Sequence, residues 1–182
     1  MRTKTAAVEE KVLDAAIALF GSQHFHEVRM EDVAAEAAVG KGTIYRYFSD
    51  KEELYQALLD RASRQYLERL LSSAAGADSA RARLGRLVLA ILQFFDEQPH
   101  LFDLIQRSEV MQRIFPWQEA RSEAIRLTRS LFEEGNQHGE FEVPDPELAT
   151  LLLLGGLRTV LRLGEKPRPA DIGERILSLF IR

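Results

Sequence analysis

A chain of 182 residues, 46% apolar and 29% charged, can bury a sizeable core, and its composition excludes disorder. It contains no cysteine, which excludes disulfides and thiolate metal sites and fits a reducing cytoplasm. The net charge of −4 argues mildly against nucleic acid as a partner, although its distribution matters more than its sum.

In chain order, residues 6–21 read as a first amphipathic helix, with Leu13, Ala16, Ile17 and Phe20 on one face. The charges at Glu9, Glu10, Lys11 and Asp14 argue against a signal peptide. A break over 21–28 carries His24 and His26 without metal-ligand spacing. A second helix is expected over 30–37, with Glu31 and Asp32 in its first turn, where carboxylates suit the helix dipole. A third is expected over 41–47. Lys41 and Arg46 lie in a window, residues 37–49, that contains no acid, and Arg2 and Lys4 precede the first acid. Ser49 or Asp50 is placed to cap a long fourth helix over 51–74. Its apolar stripe is Tyr55, Leu58, Leu59, Ala62, Tyr66 and Leu70, and Arg61, Arg64 and Arg69 are expected to face outward.

A fifth helix is expected over 80–97 and ends at Gln98-Pro99, because proline disfavours helical geometry in the residue before it. Residues 100–115 form a shorter, greasier pattern, and Pro116 opens a helix to about residue 134. Residues 135–146 read as a turn-rich connection. The next helix runs to about residue 163 and is apolar on nearly every face; a last one covers 170–181. No segment alternates with period two, so the expected class is all-α, with about nine helices.

The stretch 29–54 organises the rest. Two short helical patterns flank Ala38-Val39-Gly40, the arrangement of a helix-turn-helix whose second helix enters a DNA major groove. The residues Val33-Ala34, Ala38-Val39, Lys41-Gly42-Thr43-Ile44-Tyr45, Tyr47-Phe48, Lys51-Glu52 and Leu54, extended by Ala16 and Leu19-Phe20, resemble the TetR family of bacterial transcriptional regulators over about 50 residues. The resemblance implies a helix-turn-helix DNA-binding domain over 1–50. It implies a helical effector-binding and dimerisation domain over 51–182, with the last two helices at the dimer interface. By position, Gly42, Thr43, Tyr45 and Tyr47 are expected to face the duplex, and Lys51 to meet a phosphate. Arg29, Lys41 and Arg46 add positive charge, and only a bidentate base contact from Arg46 would specify sequence. Ile44 and Phe48 are expected to pack inward. Four positions depart from the family pattern: Arg29 replaces a threonine or serine cap, Ala38 stands where glycine is usual, Gly40 where serine is usual, and His24 replaces a glycine.

The remaining expectations concern effector and subunit contacts. Phe94, Phe95, Phe102, Ile105, Phe115 and Trp117 could line an apolar effector cavity or fill a core; Arg121, Gln106, Glu109 and Arg158 are the polar candidates. The 151–157 run, with Gly155 and Gly156, suits two subunits crossing closely. The expected dimer residues are Leu153, Gly156, Leu157, Val160, Ile176 and Phe180. No metal-binding, phosphate-loop or nucleophile motif is present, so neither an enzyme nor a cofactor is expected. The sequence thus points to a cytoplasmic repressor that binds a palindromic operator as a homodimer and is released by a small hydrophobic or aromatic effector. The alternative is a helical ligand-binding or protein-interaction module without operator binding.

Overall fold

The computed structural model describes residues 2–76, 78–107 and 115–181, with the side chains of 2–6, 106, 107, 115 and 116 outside that set. Gln106, Glu109 and Phe115 therefore lie outside the described side chains, as do Arg2 and Lys4. Among the described residues the chain is all-α, with nine helices: α1 (Arg2–Ser22), α2 (Met30–Glu36), α3 (Lys41–Tyr47), α4 (Lys51–Ala74), α5 (Ala80–Glu97), α6 (Pro99–Arg107), α7 (Phe115–Gln137), α8 (Pro146–Leu163) and α9 (Ile172–Leu177). Two compact units result. One comprises residues 1–63 and 98–117, the other 64–97 and 118–182, so the three divisions fall inside or beside helices.

In the first unit, Val12, Ala16, Phe20, Val33, Ile44, Leu54, Leu58 and Leu59 form one buried cluster to which Leu104 of α6 also belongs. The expected apolar faces of the first four helices therefore meet each other. Gly21 marks where α1 meets α6: a Cβ there would stand 2.5 Å from the His100 carbonyl oxygen. Only glycine permits that backbone approach. Arg61 does not face outward as expected. Its side chain is only 11% exposed, and its guanidinium reaches Glu10 at 2.6 Å and Asp14 at 2.8 Å on α1. Such a side chain can bury its stem while its head pairs near the surface.

In the second unit, α8 and α9 both pack on α5. Tyr66, Phe94 and Phe95 form an aromatic cluster with ring centroids 5.0–5.4 Å apart, and burial raises the Tyr66 phenol above the ordinary tyrosine range. Glu140 accepts hydrogen bonds from the Arg81 and Ala80 N–H groups, both at 3.0 Å, which lower its pKa. Helix α7 continues past residue 134 and through Gly135, which was expected to break it. The Phe141 ring occupies the space a Cβ would take, its Cζ 2.0 Å from that position, so the glycine seats a ring instead of ending a helix. Asn136 then holds Val143 through both its amide atoms, at 2.7 and 2.8 Å.

Asp145 caps α8 by accepting from the Leu148 N–H at 2.9 Å. Beyond α8, Asp96 gathers Lys166 at 2.9 Å and the Arg168 guanidinium. Burial opposes ionisation of Asp96, but the hydrogen bonds from Arg168 and Lys166 outweigh it and hold its pKa below the usual value. Helix α9 is shorter than expected, because the 3-residue turns at Leu179 and Phe180 replace its last helical turn.

Candidate nucleic-acid interface

The second and third helices are built as a supported pair. Arg29 has no side-chain acceptor with which to cap α2, yet its N–H donates to the Asp32 carboxylate at 3.2 Å. Half of a capping box therefore survives without serine or threonine. The turn that follows is tight: the Val39 N–H donates to the Ala34 carbonyl at 2.9 Å, and Ala38 adopts a φ of +54°. It is the one non-glycine among the described residues in the left-handed region, where glycine is the unstrained choice. His24 avoids that region; its N–H instead donates to the Glu27 carboxylate at 3.0 Å.

Gly40 starts α3 with an extended backbone and no side-chain cap. Ile44 and Phe48, fully buried and 4% exposed, anchor the helix in the first unit's core. Their burial turns the opposite side of α3 outward. Lys41, Gly42, Tyr45 and Arg46 are exposed there, with Thr43 and Tyr47 partly so. A Cβ at Gly42 would meet nothing within 4 Å, so no neighbour in the protein requires glycine at this exposed helical site. Arg46 lies over the Tyr47 ring at 5.4 Å, and Lys41 lies 5.9 Å from the Tyr45 ring. Lys41 is also paired with Glu31, Nζ to Oε1 at 2.7 Å. That hydrogen bond raises the pKa of Lys41 and lowers that of Glu31.

Lys51 has a different setting from the one its position suggests. Its ammonium donates to the Phe25 carbonyl at 2.7 Å and the Val28 carbonyl at 3.0 Å, and stands 4.5 Å from the Phe25 ring. Two of the three donors of the ammonium thus hold the loop between α1 and α2. This clamp is invisible in sequence, because both of its hydrogen-bond acceptors are backbone oxygens, of Phe25 and Val28. Asp50, not Ser49, caps α4, accepting from the Glu53 N–H at 2.8 Å; Glu53 reaches back to the Ser49 N–H at 2.7 Å.

The other candidates divide between the units. In the first, Phe102 and Trp117 are buried and Ile105 packs against the core that holds α3. In the second, Phe94 and Phe95 belong to the aromatic cluster around Tyr66, while Arg121 and Arg158 are exposed. Of the expected dimer residues, Leu153 and Leu157 turn into their own unit, each 1% exposed; Gly156 is exposed, and Val160, Ile176 and Phe180 are half-buried. The side of α8 facing away carries Leu148, Leu151 and Leu152, each more than half exposed, followed by Gly155, Gly156 and Leu163. A continuous apolar run had concealed which of its leucines point outward. Among the described residues no group of three His, Cys, Asp or Glu side chains could hold a metal, and no helix is long and apolar enough to cross a membrane.

Known proteins share this arrangement. Residues 12–58 match the model for bacterial regulatory proteins of the tetR family. The transcriptional repressor BepR of Brucella suis is 30% identical over 198 aligned positions, spanning 100% of this chain and 94% of that protein. The fatty acid metabolism regulator protein of Bacillus subtilis is 25% identical, over 80% of this chain and 77% of that one. Among solved structures, a TetR-like transcriptional regulator from Rhodococcus sp. RHA1 superposes with a TM-score of 0.80 at 27% identity, covering 96% of this chain and 93% of its own. FadR of Bacillus subtilis, solved with stearoyl-CoA, shares the fold at a TM-score of 0.72 and 21% identity, over 94% and 97% of the two chains. With its helix-turn-helix set out above and a 30% identical repressor matched over its whole length, the chain belongs to the TetR family of bacterial transcriptional regulators.

Proposed function

We propose that this regulator is a cytoplasmic homodimeric repressor that binds a near-palindromic operator and is released by a small hydrophobic or aromatic effector. In this reading residues 1–50 bind DNA and 51–182 serve effector binding and dimerisation. The observation that carries the DNA-binding part is the outward side of α3. Thr43, Tyr45 and Tyr47 offer hydroxyls and Arg46 a guanidinium, while the helix is anchored from behind by Ile44 and Phe48. Hydroxyls and guanidinium groups suit phosphate oxygens and base edges. Two half-sites a helical turn apart, or a multiple of that, require two copies of α3 related by a two-fold axis. The leucine stripe Leu148, Leu151, Leu152 and Leu163 on α8 supports a second copy as the partner that covers it, because an apolar stripe of this length is costly to leave in water.

Helix α4 runs unbroken from Lys51 to Ala74, and we assign it the coupling between effector and operator. The effector then acts by binding one of two conformations more tightly than the other. Selection of genomic fragments by the purified protein tests the reading. A true repressor enriches a palindrome, and stearoyl-CoA or aromatic compounds added to that complex identify the effector class by release. Recovery of fragments with no shared symmetric sequence would leave the rival reading, a ligand-binding module without an operator.

A further inference from the structure

Residues 37–49 contain no acid, but the fold brings one back to them. Glu31, in the first turn of α2, meets Lys41 at the start of α3 with 2.7 Å between Oε1 and Nζ. Both side chains remain accessible, 46% and 68% exposed, so a competitor can reach either one. Glu31 is not required for capping: Asp32, the next residue, receives the Arg29 N–H. Nor does Lys41 hold the helix in place, since Ile44 and Phe48 do that from the buried side.

We propose that Glu31 is an intramolecular competitor for the DNA backbone: it holds one donor of the Lys41 ammonium and offsets part of the attraction that Lys41 would otherwise exert on a phosphate. The proposal rests on α3 being the DNA-contacting helix. A lysine paired with a carboxylate contributes little net field at a distance, so a phosphate that takes one of the remaining Lys41 donors lies near the Glu31 charge and gains less from the pair than from Lys41 alone. Backbone attraction is independent of base sequence, so the pair weakens binding to every duplex alike. In a chain of net charge −4, the pair adds to a low non-specific affinity and leaves discrimination to the remaining contacts of α3.

The test is a double-mutant cycle of Glu31→Gln, Lys41→Gln and the pair, titrated into a fluorescent duplex of random sequence over a series of salt concentrations, with circular dichroism to confirm folding. Glu31→Gln is expected to bind about two- to fivefold tighter at low salt, the range of an exposed ion pair, and with a steeper salt dependence. Lys41→Gln binds more weakly, and adding Glu31→Gln to it gives a smaller gain than Glu31→Gln gives in the wild-type background. Glu31→Ala answers the same question should the amide variant fold poorly. Unchanged or weaker binding by the Glu31 variants overturns the proposal. An equal gain in the Lys41→Gln background also overturns it, since it marks general charge repulsion instead of competition for Lys41. If wild-type protein binds neither this duplex nor any genomic fragment, the operator reading fails and the proposal falls with it.

Discussion

Helices α3 and α8 both turn side chains outward, and they do so with opposite chemistry. α3 is anchored by two buried residues, Ile44 and Phe48, and shows hydroxyls, a guanidinium and a glycine. α8 is anchored by Leu153, Leu157 and Leu161 and shows more leucines. A polar, hydrogen-bonding face is stable in water and can exchange water for phosphate and base edges. An apolar face gains by excluding water altogether. The contrast separates the two partners in the proposed function, a duplex for α3 and a second copy of the chain for α8. It also explains why the supporting structure differs. The α3 region depends on a tight turn and close backbone approaches, whereas α8 is positioned by a cap at Asp145 and by packing on α5.

Breaking the apolar face should have the largest effect. Leu151→Glu with Leu152→Glu places carboxylates where a second copy would bury them, and is expected to raise the dimer dissociation constant about a hundredfold or more. Equilibrium sedimentation reads this directly, and a double variant that remains as dimeric as wild type would remove α8 from the interface. Next comes the support of α3. Gly21→Val drives side-chain atoms into the His100 backbone and is expected to cost about 1–3 kcal/mol in urea unfolding, with loss of DNA binding only as the protein unfolds.

On the polar face, Tyr45→Ala removes a hydroxyl from a side chain that is 41% exposed. Operator affinity should fall about tenfold while stability changes by less than about 0.5 kcal/mol. Equal losses in both would mean that Tyr45 is a packing residue. The smallest effects sharpen the comparison within the helix-turn-helix itself. Ala38→Gly relieves a φ of +54° and should stabilise the protein by about 0.5–1 kcal/mol without weakening DNA binding. Gly42→Ala should stabilise α3 by a similar amount, roughly 0.5–1 kcal/mol. It should nevertheless weaken operator binding, because its new methyl points into open space on the side that the proposed function turns to the duplex. Tighter operator binding by Gly42→Ala would show that the duplex does not approach this position.

The helices were largely legible in sequence because their causes are local. The bounds of α3, α4 and α5 follow from apolar periodicity and from Asp50, Gln98 and Pro99 at their ends. The positive φ at Ala38 was not foreseen, although the family's usual glycine there was the signal for it, and the inward direction of Ile44 and Phe48 was expected and is observed. Glycine was less informative by itself. Gly135 looked like a stop but sits within α7 because a ring from six residues later lies against it. Arg61 looked like a surface charge but reaches Glu10 and Asp14, some fifty residues earlier.

By itself, then, the sequence determined the helical class, the helix-turn-helix and the side chains that α3 carries. These depend on periodicity, capping and residue type over short spans. Tertiary structure alone decided how the lysines at the start of α3 and α4 are held. Lys41 is held by Glu31, and Lys51 holds the carbonyls of Phe25 and Val28. It also decided which leucines of α8 face outward. A window free of acids in one dimension is not free of them in three, because electrostatics acts through space and not along the chain.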